Sequence, residues 1–286
     1  MWIPTLLTSL PLLAPLALSA PPTAPGVPLP LPMLLSVLDD EDDEGEEEGP
    51  TKAEVEAMLE RIAEAFKGKT EIEVRVEAVQ AAAAVPHDDV AKALRDALGD
   101  KESEVTLAAL DVLGMMPVEE ALDELLRFHK KDRRLKKDNE LLAASFKAIA
   151  RHAEPDTAEL FTDNLFSNTS NVVLEARILG LGMIRDAVAV EGLMDVLKAT
   201  YGKKGGNQPK VMPHLVLSMT VLIGTHENGS NKDKWVAWWN DNKRDLEISE
   251  ELPEIPAQTL RKWQIYWGLE TDREKDDDPR GGGSGR

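Results

Sequence analysis

The hydrophobic positions along the chain recur at three- and four-residue steps, broken at short intervals by Gly, Pro, Asn and Asp. Val55, Met58, Leu59, Ile62 and Phe66 make the first apolar stripe, opened by the capping-box pattern Thr51-Lys-Ala-Glu54 and closed by Gly68. A second helix is expected over Glu71–Val85, with Thr70 as its N-cap and Pro86 as its stop. His87-Asp-Asp begins a third, which ends at Gly99. The stretch Asp100–Met116 then predicts a helix that is apolar on two sides. Val105, Ala109, Val112 and Met116 form one side, and Leu107, Leu110 and Leu113 the other. Such a helix has to lie between neighbours.

The same grammar continues. Pro117 is expected to open the next helix, with Ala121, Leu122, Leu125 and Leu126 inward. The basic run Lys130–Lys137 reads as a solvated loop whose charges sit near helix C-termini. Further helices are predicted from Asn139 through Ile149, from Pro155 through Leu165, from Asn171, and over Val188–Leu197. A glycine-containing loop, Tyr201–Pro209, precedes the apolar helix Val211–Ile223. Asn231 is the expected cap of KWVAWWNDNKRDL, and Ile255–Leu269 is the last helix. The strand-like stretch TEIEVRV runs straight into EAVQAAAAV and reads as helix.

The inner, more apolar helices repeat. V74-R-V-E-A78, V105-T-L-A-A109, L141-L-A-A-S145 and V172-V-L-E-A176 align on small residues spaced 31, 36 and 31 apart, with a looser fifth copy at Leu215–Gly224. Each unit is an outer amphipathic helix, a turn and an inner helix, and one such pair cannot bury its own apolar face. Ala109, Ala176, Gly114 and Gly180 are the small positions that let neighbouring backbones approach.

The V-R-x-x-A pattern at Val74–Ala78 and the V-x-x-x-A-L-x-x-L-G run at Val105–Gly114 resemble HEAT repeats, over roughly residues 51–225. The Arg of the first copy is replaced by Thr106 in the second and Leu142 in the third, so the regular Asp/Arg ladder between units is incomplete. The segment WVAWWNDNK resembles terminal helices of exported bacterial HEAT-repeat proteins. The resemblance implies an all-α fold, a right-handed α-solenoid of about five HEAT-like helix pairs with a Trp-rich C-terminal capping helix. It also implies a curved surface that takes protein partners on its concave face. Arg75, Lys147 and Arg177 are the expected exposed partner-binding residues of that face. Trp235, Trp238 and Trp239 share one helix face and are expected to cap the open end, with Trp263 and Trp267 packing onto the same end.

Charge and chemistry refine this only a little. The chain holds 52 acidic against 33 basic residues, and nine of the acids lie in the single run Asp39–Glu48. Net acidity repels phosphate backbones, so nucleic acid is not an expected partner. The sequence has no cysteine and five scattered histidines, which excludes thiolate chemistry and leaves no metal-ligand spacing. No nucleophile elbow or phosphate loop is present, so no catalytic residue, metal or cofactor is expected.

Residues 1–19 read as a signal peptide, an uncharged Leu-rich stretch with small residues Ala17 and Ser19 before a cleavage after Ser19; an uncleaved membrane anchor is the alternative. After cleavage no stable membrane insertion is expected. Residues 20–50 read as a disordered Pro-rich and acidic linker, 51–270 as the solenoid and 271–286 as a disordered tail. The functional expectation is a non-enzymatic interaction scaffold or adaptor, exported to the periplasm or cell envelope. The alternatives are an accessory or chaperone-like protein for an envelope enzyme and a nucleic-acid-binding HEAT protein.

Overall fold

The computed structural model describes residues 49–165, 170–202 and 208–269. The expected leader, nearly all of the linker and the expected tail lie outside them, as does part of the Tyr201–Pro209 loop. Among the described residues every regular element is helical.

Helix α1 (Lys52–Ala65) starts where the capping box places it. The Thr51 hydroxyl accepts from the Glu54 amide, and the Glu54 carboxylate accepts from the Thr51 amide at 2.8 Å. Helix α2 (Ile72–Ala81) starts differently from expectation. Glu71 is its N-cap, without a side-chain cap bond, while the Thr70 hydroxyl donates to the Lys67 carbonyl and closes the preceding turn.

Helices α3 (Asp88–Ala93) and α4 (Arg95–Leu98) are two halves of one outer element broken at Leu94. Then come α5 (Ser103–Met115), α6 (Glu119–Lys131), α7 (Asn139–Ala150), α8 (Ala158–Thr162) and α9 (Asn171–Leu181). Helices α10 (Ala187–Gly202), α11 (Gln208–Ile223), α12 (Lys232–Asn242) and α13 (Ala257–Trp267) complete the chain. Pro117 does not enter α6. Val118 is the N-cap, and its amide bonds back to the Met116 carbonyl at 2.9 Å, so Pro117 sits at the centre of a γ-turn.

The helices stack in two rows. α2, α5, α7, α9 and α11 pack side by side in that order as the inner row. α1, α3, α6, α8, α10 and α12 form the outer row, each of the first five leading into its inner partner. The result is an α-solenoid of five pairs followed by α12 and α13. Helix α5 lies between α2 and α7, with Val105, Ala109, Leu110 and Leu113 fully buried. Each buried aliphatic side chain there contributes about 1.5–3 kcal/mol. Leu107 departs from expectation and is 36% exposed.

The small residues do what their spacing implied. A Cβ on Gly114 would lie 2.8 Å from the Ala148 Cα, so the α5 and α7 backbones touch there. A Cβ on Gly180 would strike the Phe161 ring and the Ala150 methyl. These contacts set the spacing of the inner row.

Candidate interaction surface

The inner row is held together by polar ties as well as by its core. Arg75 on α2 pairs through Nη1 with the Asp100 carboxylate, in the turn before α5, and both side chains are nearly buried. Asp100 also accepts from the Glu102 amide at 2.9 Å, which fixes the start of α5. The Arg75 charge is therefore paired within the chain and its Nε is buried without a hydrogen-bond partner, so the side chain is not the exposed one expected.

At the next step the helix position holds Thr106, and the tie comes from elsewhere. Arg134, in the turn after α6, reaches back one unit and donates to the main-chain oxygens of Leu98, at 2.6 Å, and Asp100, and to the Thr106 hydroxyl at 3.2 Å. Asp132 clamps the same guanidinium through Nε and Nη2. Arg134 thus leaves the solvated loop expected of the basic run. The run's residue numbers gave no hint of this, since the donor sits outside the repeating helix.

Arg177 on α9 is also turned inward. Only 5% exposed, it donates through Nε to the Phe161 carbonyl at 2.8 Å and through Nη2 to the carbonyls of Leu160 and Asp163. It closes the carbonyl end of the short α8, which would otherwise be left unpaired. Its guanidinium lies over the Phe146 ring at 5.1 Å. Burial pulls its pKa down to about 10. The same cluster contains His129, whose Nδ1 meets the Ser145 hydroxyl at 2.9 Å. Burial, and then the Arg177 charge, push His129 down to about 4, so it is neutral at pH 7.

Lys147 on α7 is occupied by the C-terminal helix. Its Nζ donates to the Tyr266 carbonyl at 2.7 Å and lies 5.0 Å from the Tyr266 ring centre. Arg151, one turn further, donates to the Trp267 carbonyl at 3.3 Å and to Asp111 at 2.7 Å. Two cations thus meet the carbonyl end of α13, the arrangement a helix C-terminus favours. Burial, then the neighbouring Arg151 charge, lowers the Lys147 pKa.

The tryptophans divide between two places. Trp235 and Trp239 are buried where α12 follows α10 at the end of the outer row, and Trp235 Nε1 donates to the Gly229 carbonyl at 2.8 Å. Trp238 is half-buried and meets the Trp235 ring edge-on. Trp263 and Trp267 form a separate ring pair, in a Trp-rich C-terminal helix that packs on α11, the last inner helix. α13 folds back onto the inner row, with the Trp263 ring against Gly182 and Ser218 and both indoles buried. The link into α13 is fastened by Arg185, which donates to the carbonyls of Ser249 at 2.6 Å and Glu251 at 2.8 Å.

α13 therefore covers part of the inner row at α7, α9 and α11, leaving Val172 at the start of α9 46% exposed and the row open along α2 and α5. On the open part Val74 is 47% and Leu107 36% exposed, with the exposed carboxylates Glu73 and Glu104 beside them, while Glu77 is paired with Arg61 of α1 at 3.2 Å. No three metal-ligating side chains converge among the described residues, and none of the described helices is long and apolar enough to cross a membrane.

Residues 59–138 match the family model for HEAT repeats. The matched stretch runs from within α1 to the residue before α7 and contains the Arg75–Asp100 and Arg134 ties, so the chain carries HEAT repeats there. None of the curated proteins matches it.

Proposed function

We propose that this HEAT-repeat chain is a non-catalytic interaction scaffold that binds a protein segment on the inner-row face beside α13. The observation that carries the reading is that this row already holds a helix, seated by buried Trp263 and Trp267 and by Lys147 and Arg151 at its carbonyl end. Helix-on-groove recognition uses the same elements, apolar anchors in the groove and charges at the rim. Next to that helix, Val74 and Leu107 offer apolar anchor points, and Glu73 and Glu104 call for basic partner side chains. The site of action is the periplasm or cell envelope, a part of the proposal supported by the composition of residues 1–19.

Site-specific photo-crosslinking tests the reading. A photoreactive residue at Leu107 is expected to capture a partner from the envelope fraction, whereas one at Val188, equally exposed on the outer row, is not. Equal capture at both positions, or none at Leu107, would refute it. Mass measurement of the mature chain reports separately on cleavage after Ser19.

A further inference from the structure

The outer row has a gap. α3 packs on α6, and α8 on α10, but α6 and α8 are not a packed pair. The cause is length: α6 has 13 residues and α8 only 5, so among the described residues most of α6 has no outer helix beside it on that side. The space left is a groove of about 680 Å³, floored by the close α5–α7 contact at Gly114. A helix about 10 Å across rises 1.5 Å per residue, so this volume accepts roughly one and a half turns.

The walls are apolar and only half covered. Met115, Leu122, Leu126 and Leu160 line the groove and are partly exposed, with Leu122 and Leu126 one turn apart on α6. The rim carries one sign of charge. Glu119 and Asp123 stand on the α6 side and Glu154 and Asp156 on the α8 side, all four exposed. The two basic side chains that line it do not offset them. Arg151 points to Asp111 and the Trp267 carbonyl, and His152 Nε2 is tied to the Leu113 carbonyl at 3.0 Å. Burial lowers the His152 pKa, which keeps that ring neutral at pH 7.

We propose that the α6–α8 groove is a second docking site, and that its occupant is an amphipathic helical segment of a partner protein with an apolar stripe and Lys or Arg at its flanks. Leu side chains at helical spacing fill the apolar walls, and the basic flanks meet the four rim carboxylates. A second copy of this chain, with a net charge of −19, would bring like charge towards the rim overall. The groove opens on the outer row, so it does not depend on the inner-row reading.

The test uses the full chain and two synthetic 18-residue peptides with the same Leu stripe, one flanked by Lys and one by Glu. Methyl-labelled methionines give the site, because Met115 and Met116 line the groove and Met58 sits far away on α1. The Lys-flanked peptide is expected to shift the Met115 and Met116 signals and leave Met58 in place. It should bind at least tenfold more tightly than the Glu-flanked peptide. Glu119→Lys with Asp123→Lys, both at exposed positions that spare the core, should remove that preference while helicity stays unchanged. Unmoved Met115 and Met116 signals, equal binding of the two peptides, or affinity indifferent to the charge reversals would each overturn the proposal. So would self-association of the chain that the same reversals abolish, since that would make a second copy the occupant.

Discussion

Arg134 donates through Nη2 to the carbonyl oxygen of Leu98 at 2.6 Å, tying the turn after α6 to the end of α4 one unit earlier. The same guanidinium reaches the Asp100 carbonyl, while the Asp100 carboxylate pairs with Arg75. Asp100 is therefore the joint at which three successive units meet, Arg75 on one side and Arg134 on the other.

Removing that joint should be costly. Arg134→Ala strips a charge-assisted donor from two main-chain carbonyls and from Thr106, and a loss of about 2 kcal/mol is expected. Arg134→Lys should recover only part of it, since an ammonium cannot span two carbonyls as the planar fork does. Urea unfolding reads this as a lowered midpoint at constant slope. A midpoint unchanged from the wild type would mean that water satisfies the freed carbonyls equally well.

His129 supplies a pH dependence. Its pKa falls from 6.5 to about 4 on folding, so between those values the unfolded chain binds the proton and the folded one does not. Stability from this group is complete above about pH 6.5 and is lost as the pH falls towards 4. The slope approaches about 1.4 kcal/mol per pH unit inside that window. Asn at the position can still donate to Ser145 but cannot titrate. The stability of wild type relative to His129→Asn should therefore fall as pH drops from 6.5 to 4, and a flat difference profile would contradict the assignment.

Gly114 and Gly99 separate packing from propensity. Alanine is the better helix former by about 1 kcal/mol. At Gly114 the added Cβ would lie 2.8 Å from the Ala148 backbone, and overpacking costs about 1–3 kcal/mol. Gly114→Ala should therefore destabilise the chain. At Gly99 the nearest atoms are 3.6 Å away and φ is −82°, so Gly99→Ala should be neutral or stabilising. Thermal melts of the two variants decide it, and equal shifts would sink the close-approach account.

The paired rows were legible because the 3.6-residue period and the 31-residue spacing are local signals that tertiary packing reinforces. The fates of Arg75, Lys147 and Arg177 were not. A helix face is readable from spacing, but which unit of the stack covers it depends on contacts from far along the chain. Lys147 faces α13, 119 residues later in sequence, and Arg177 faces the end of a helix cut short at Thr162. Thr106 and Leu142 marked the ladder as incomplete, yet nothing in their positions revealed that Arg134 reaches Thr106 from a turn. Trp263 and Trp267 share a face, as their spacing required, but spacing could not choose between the end of the solenoid and the inner row.

That choice is itself testable. Trp263 is 2% exposed against Gly182 and Ser218, and truncating such an indole costs about 3–5 kcal/mol. The remaining attachments of α13, a helix of 11 residues, are the buried Trp267 indole and the carbonyl contacts from Lys147 and Arg151, with Arg185 holding only the link before it. Trp263→Ala should therefore free α13 before the five helix pairs unfold. Lys147 is the reporter, since its Nζ is covered by the Tyr266 carbonyl and ring. On release its amine should react several-fold faster with a water-soluble acylating reagent, while Lys92 on α3, half-exposed and far from α13, keeps its rate. Faster cleavage between residues 243 and 256 by a trace of protease should accompany the change. If Lys147 reacts at the same rate in both proteins, α13 is not what shields it.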